Sequence, residues 1–158
     1  MTQSISRVNL PAVGEIGLVV RDVDKTIEFY GSCGLGPWRI KEMDFKGCVY
    51  NGKPCDCRLK LAFLDGPPVS IELVQVVEGE TPFSEFLREK GEGVQHLGFF
   101  TNDLKGILAG FAKKGIEPVF SGGVPNVADF AFVSAVQNKA EGLMFELVQI
   151  YHHADGHH

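Results

Sequence analysis

Histidine is nearly absent from the body of this 158-residue chain: of the five present, only His96 lies outside the last eight residues. Long apolar runs are absent too. None approaches the about 20 residues a membrane helix needs, so no membrane partner is expected. Met1 to Leu10 has no apolar core of the signal-peptide kind, and the cytoplasm is the expected location. Acidic residues outnumber basic ones 20 to 15, the net charge is -5, and no basic stripe appears. Nucleic acid is therefore not an expected partner, because phosphate binding needs such a stripe. Four cysteines occur, Cys33, Cys48, Cys55 and Cys57, and the C-x-C pair has no second pair at zinc-ribbon spacing. Reduced cytosolic thiols are the expectation. The tail, 151–158, is rich in histidine and follows the last patterned strand, which reads as a frayed or partly engineered terminus.

What is present is an internal repeat, the feature to look for first. Gly17 matches Gly98, Asp22 matches Asp103, Gly34 matches Gly115 and Pro37 matches Pro118, all at an offset of 81. Ile71-Glu72-Leu73-Val74-Gln75 matches Phe145-Glu146-Leu147-Val148-Gln149 at an offset of 74, so the second copy has lost seven residues in its middle. This period is that of a half-domain. A chain of this length buries roughly 70% of its unfolded surface as one domain. Hydrophobic residues at 44% and charged ones at 22% fit an ordinary globular protein.

Each copy spells the same order of elements. Val13 to Val20 reads as a buried strand. Asp24 is the expected cap of a helix carrying Ile27, Tyr30 and Cys33 inward and ending near Gly34. Trp38 to Phe45, Arg58 to Leu64 and Val69 to Val77 read as strands, with Lys46 to Asp56 a polar loop around Asn51-Gly52. A linker over 78–94 holds a helix opened by Thr81 and Pro82. The second copy then gives a strand from Gln95 to Thr101 and a helix capped by Asp103. Strands follow at Glu117 to Phe120, Ala128 to Val136 and Leu143 to Ile150, with Ser121 to Asn126 a turn-rich connection. The expected fold is α+β: two tandem βαβββ modules, 13–77 and 95–150, forming a cupped mixed β-sheet with helices outside. An N-terminal arm, 1–12, precedes this single domain.

The chemistry sits at repeat-equivalent places. Each first strand carries one metal-capable side chain, Glu15 or His96, and each last strand a glutamate, Glu72 or Glu146. An ionised carboxylate in an apolar strand has to be paired, protonated or metal-bound. Taken alone, His96 reads as a hydrogen-bonded core residue, Glu72 or Glu146 as half of an ion pair, and Glu15 as exposed on a strand face. Duplication changes this, because equivalent residues converge on one point. Trp38, Phe45, Phe63 and Phe130 are candidates for a pocket wall as well as for plain core.

The two β-α-β-β-β copies, the opening Glu15-Ile16-Gly17-Leu18-Val19-Val20-Arg21-Asp22, the run Gly93-Val94-Gln95-His96-Leu97-Gly98-Phe99 and the closing Phe145-Glu146-Leu147-Val148-Gln149 resemble the vicinal oxygen chelate superfamily. The resemblance spans about residues 13 to 150 and is nearest to its epimerase-like and glyoxalase-like members. It implies one divalent metal held by Glu15, Glu72, His96 and Glu146. It also implies a small-molecule substrate with a carbonyl or thioester, and a homodimer is the expected assembly. Relatives of the glyoxalase type place histidine or glutamine at the first ligand position and epimerases histidine, whereas Glu15 stands here. An oxygen-rich donor set of this kind suits Mn²⁺, Co²⁺, Fe²⁺ or Mg²⁺ as well as Ni²⁺ or Zn²⁺.

Epimerases of the family also resemble one another in a third-strand glutamate. The corresponding strand here, Cys57 to Phe63, has no carboxylate, and Lys60 falls about where it would lie. Extradiol dioxygenase iron uses two histidines and a carboxylate, and only His96 is available. The resulting expectation is a metal-dependent isomerase or lyase of the glyoxalase or epimerase type. It would remove a proton beside a carbonyl and stabilise the enolate on the metal, with Glu146 as base and Lys60 as a possible partner. The alternative is a non-catalytic small-molecule binding or sequestration protein of the same fold.

Overall fold

The computed structural model describes residues 7–134 and 142–151. Half of the expected arm, two residues of the Ala128 to Val136 strand and the tail histidines lie outside the described residues. The chain order is β1 (Val13–Val19), α1 (Val23–Ser32), β2 (Arg39–Tyr50), β3 (Lys53–Leu64), β4 (Ser70–Glu78), α2 (Pro82–Lys90), β5 (Gly93–Phe100), α3 (Leu104–Ala112), β6 (Phe120–Val124), β7 (Ala128–Ser134) and β8 (Met144–Ile150). No helix among the described residues is long and apolar enough to cross a membrane.

The strands close into a mixed barrel in the order β1-β4-β3-β2-β6-β7-β8-β5. Each half pairs its first and last strands in parallel, β1 with β4 and β5 with β8, and its remaining neighbours antiparallel. Two antiparallel seams join the halves. The β1–β5 seam runs through six paired positions from Val13↔Phe99 to Val19↔Gly93. The β2–β6 seam has two, Val49↔Ser121 and Tyr50↔Phe120.

Local chemistry sets the helix starts, and it does so twice. Asp22 is the cap of α1, its Oδ1 accepting from the Lys25 N–H at 3.0 Å, and Asp103 caps α3 by accepting from the Gly106 N–H at 3.0 Å. Asp24, the expected cap, instead lies in the first turn, where a negative charge suits the helix dipole. A second orphan donor of each helix is met from the last strand of its half: Gln75 Oε1 accepts from Val23 N–H at 2.8 Å, Gln149 Oε1 from Leu104 N–H at 3.1 Å. The linker helix α2 opens with a reciprocal cap. Thr81 Oγ1 accepts from Ser84 N–H, Ser84 Oγ accepts from Thr81 N–H, and Pro82 occupies the first turn. This start fixes Phe83, which points into the barrel and packs its ring against Phe120, Phe132 and His96.

Two expectations fail for identifiable reasons. Lys46 to Asp56 is not a loop: β2 and β3 continue through it as a ribbon, turned only at Asn51-Gly52, whose φ angles are 50° and 77°. Its polar residues lie on the solvent face, while Cys48 and Cys57 are buried. Burial holds these thiols protonated, pushed up to about 11 and about 12 respectively, and all four cysteines are free. Ser121 to Asn126 is not a connection either, because Ser121 to Val124 belongs to β6. Its glycines mark close approach. A Cβ on Gly122 would stand 2.5 Å from Cys48 Sγ, and one on Gly123 would stand 2.3 Å from Asp129 Oδ1. The strand expected at Glu117 accordingly begins only at Phe120.

Candidate metal centre

Inside the barrel the four expected residues meet. Glu15, Glu72, His96 and Glu146 each offer one ligand atom, and these atoms lie within 4.8 Å of one another. Register explains the convergence. Glu72 sits opposite Gly17 on β1, and Glu146 sits opposite Gly98 on β5. Across the β1–β5 seam Gly17 also faces His96 and Gly98 faces Glu15. Each repeated glycine is therefore the gap into which two of the side chains lean. A Cβ on Gly17 would stand 1.9 Å from His96 Cε1, and one on Gly98 would stand 2.9 Å from Glu15 Cβ.

His96 is fully buried, and its Nε2 is the centre of the cluster: Glu72 Oε2 and Glu146 Oε2 each lie 3.2 Å away and Glu15 Oε1 3.9 Å away. The other ring nitrogen, Nδ1, is 2.7 Å from Gln95 Oε1. That amide oxygen can only accept, so Nδ1 carries the proton and Nε2 faces three carboxylates. A bare lone pair there would be repelled. Nε2 needs a proton of its own, a proton offered by a neighbouring carboxyl, or a bound cation. A single N–H cannot serve three acceptors, and while Glu72 takes the hydrogen bond, Glu146 Oε2 is buried without a partner among the described residues.

The electrostatics agree. Burial, then the neighbouring Glu15, pushes the Glu72 carboxyl up to about 8 against the pull of His96, and burial likewise raises Glu146. For His96, burial opposes the charged ring, but attraction to the Glu146, Glu15 and Glu72 carboxylates outweighs it and holds its pKa well above the usual value. Three buried carboxylates around one imidazole fit a divalent ion. Donors at about 2.0–2.2 Å from a metal stand roughly 3–4.4 Å apart, close to the span observed. The cluster thus has the donor atoms and the size to hold a metal, with hard oxygen ligands predominating.

Gln95 was not singled out from the sequence. Neighbouring residues on a strand ordinarily face opposite sides, but β5 bulges between Val94 and His96, leaving Gln95 as the extra residue. It is 1% exposed and reaches the ring of the histidine beside it, while its Nε2 lies 3.4 Å from Met144 Sδ. The matching bulge on β1 falls at Gly14, the repeat equivalent of Gln95.

The cluster lies in the wall of a cavity of about 330 Å³. Phe45, Phe63 and Phe130, for which plain core is the favoured sequence reading, line it, and so do Phe83, Phe100, Phe120 and Phe132. Trp38 does not. It stacks on Tyr30, with ring centroids 5.6 Å apart, against α1. Lys60 is also turned away. Leu59, Leu61 and Phe63 take the cavity face of β3, and the Lys60 Nζ pairs at 2.5 Å with Asp24 of α1. It has no part in the cavity.

Comparison with known proteins supports the family. Residues 15–133 match the model of the Glyoxalase/Bleomycin resistance protein/Dioxygenase superfamily. The chain belongs to that superfamily. Among solved structures it is similar to a methylmalonyl-CoA epimerase of Streptomyces coelicolor in complex with 2-nitronate-propionyl-CoA. That match has 20% identity and a TM-score of 0.63 and covers 90% of this chain and 99% of that one. The methylmalonyl-CoA epimerase of Mycobacterium tuberculosis matches at 21% identity and TM-score 0.63, over 95% of this chain and 92% of its own. A 4-hydroxymandelate synthase variant from Streptomyces coelicolor matches at 14% identity and TM-score 0.59, over 89% of this chain and 48% of its own. At these identities the likeness is one of fold. No curated protein matches.

Proposed function

We propose that this chain is a metal-dependent isomerase or lyase that moves a proton on the carbon next to a substrate carbonyl. Its ligands would be Glu15, Glu72, His96 and Glu146, and its two halves copies of one βαβββ module. The observation that carries the reading is His96 Nε2, proton-blocked on its far side by Gln95 and ringed by three buried carboxylates at the wall of an apolar cavity. A divalent ion, when bound, supplies Lewis-acid polarisation of the carbonyl and stabilisation of enolate charge. The protein does the rest. The phenylalanine walls exclude water and hold the substrate body. Glu146 lines the cavity, and its carboxylate would take the α-proton and hold it for return. Lys60 faces away, which leaves the return of the proton to a carboxylate of the cluster.

The test has two stages. Protein lacking residues 152–158 should bind about one Mn²⁺, Co²⁺ or Zn²⁺ per chain and melt at a higher temperature with it. Loaded protein should then exchange the α-protons of 2-hydroxyacetophenone in deuterated water, and Glu146→Gln should stop the exchange. Metal bound without exchange would favour the non-catalytic binding reading. Neither binding nor a melting shift would end the metal reading.

A further inference from the structure

The shape and lining of the cavity say what kind of molecule it accepts. Among the described residues around it, only Glu15, Glu72, Glu146 and Lys41 carry charge, and the rest are apolar, seven of them phenylalanine. The three glutamates form the cluster at one wall. At the open side, Phe100, Val127 and Ile150 remain 40 to 49% exposed, so the apolar surface continues to the rim and is not closed off by a polar collar. Lys41 projects from β2 on the same strand face as Met43 and Phe45. It has no ion-pair partner among the described residues. Arg39, two residues earlier, is committed to Asp65 at 3.1 Å and stacks over Phe63 at 4.6 Å. Lys41 pairs in register with Leu61, which in turn pairs with Val74 on β4, two residues beyond Glu72. Two strand spacings and two residue rises put the Lys41 Cα roughly 12 Å from that of Glu72.

We infer that the ligand is a compact molecule with an apolar, aromatic-sized body, an oxygen donor for the metal end and one anionic group for Lys41. A ligand built on a nucleotide carrier is disfavoured. Several phosphate charges need several unengaged Lys or Arg side chains, and the lining of this cavity offers one. This inference rests on the metal reading above, and its test separates the two.

Calorimetry on Mn²⁺-loaded protein with four probes is decisive. Acetohydroxamate reports the metal alone. 3-Phenylpropionohydroxamate adds the apolar body and should bind at least about tenfold tighter, because a buried phenyl ring removes a large apolar area from water. Its 4-carboxy derivative should gain up to about fivefold more in the wild type and nothing in Lys41→Ala, the scale of one exposed ion pair. Acetyl-coenzyme A should bind no tighter than acetohydroxamate. A phenyl gain under twofold, or acetyl-coenzyme A outbinding the phenyl probes, would overturn the inference even though the metal reading stood. An equal carboxylate gain in Lys41→Ala would remove Lys41 from it. If acetohydroxamate itself failed to bind, the metal reading would fall first.

Discussion

β1 and β5 are the same strand written twice, and they differ at the two residues that matter most. Both run through the barrel wall, both carry a glycine two residues after the cluster residue, and both bulge one residue before it. On β1 the pair at the bulge is Gly14-Glu15; on β5 it is Gln95-His96. A glycine at a bulge contributes shape only. Gln95 contributes shape and a hydrogen bond that fixes the histidine's protonation, the outer-shell support that metal-ligating histidines usually have. The two halves thus share the means of bringing side chains together but not the means of tuning them. Glu15, a carboxylate with either oxygen available, has no tautomer to fix.

The comparison can be broken at its glycines first. Gly17→Ala drives a Cβ to 1.9 Å from the His96 ring, a far deeper overlap than the 2.9 Å at which a Cβ on Gly98 would meet the Glu15 Cβ. Gly17→Ala should therefore abolish metal binding and cost about 3 kcal/mol or more in denaturant unfolding, and Gly98→Ala about 1–2 kcal/mol with binding weakened. Equal losses would mean that the two gaps are not tuned to different side chains. Next in size is Gln95→Leu, similar in volume but unable to accept the Nδ1 proton. Metal affinity should fall about 10–100-fold, and Gln95→Glu, which still accepts, should recover most of it. An unchanged affinity in Gln95→Leu would reduce the bulge on β5 to shape, like that on β1.

The smallest expected effect is on metal-free protein. Between the ordinary carboxylate value and about 8 the unfolded chain has released the Glu72 proton while the folded chain keeps it, so stability falls as pH rises through that window. His96 acts in the same direction. Its raised pKa contributes stability fully present below the ordinary histidine value and lost as pH climbs through the folded one. Metal-free protein should melt several degrees lower at pH 8 than at pH 5. Glu72→Gln should flatten that slope, and metal should stabilise most at the higher pH, where fewer protons must be displaced. A melting temperature flat from pH 5 to 8 would contradict the proton-sharing cluster.

Much of the candidate site was legible because matching sequence runs mark it twice. Glu72 and Glu146 inside matching Glu-Leu-Val-Gln runs, and Gly17 and Gly98 two residues after Glu15 and His96, are short patterns that alternation alone places on one face. The strand of Leu59, Lys60 and Leu61 likewise favours an outward Lys60 from sequence, as the structure has it, since the apolar neighbours claim the inner face. Other features lay beyond alternation. Gln95 faces its neighbour only because the backbone bulges, and a bulge is set by pairing with a strand some 80 residues away. Gly122 and Gly123 read as a turn because glycine serves both turns and close contacts, and the contact with Cys48 exists only once the barrel closes. The long β2–β3 ribbon hid behind its polar face for the same reason.

The unequal seams give the barrel a hinge and a clasp. Six paired positions hold β1 to β5 alongside the cluster, while two hold β2 to β6, where Phe45 and Met43 on one side and Phe120 and Val124 on the other form cavity wall. The cheapest way to breathe is to unzip the clasp, since local opening follows the segment with fewest bonds to break. Amide hydrogens at Val49, Tyr50 and Ser121 should then exchange with solvent well before those of Leu18 and Leu97. A guest too bulky for the open rim would have a side door, one that leaves the four converging side chains undisturbed while it swings.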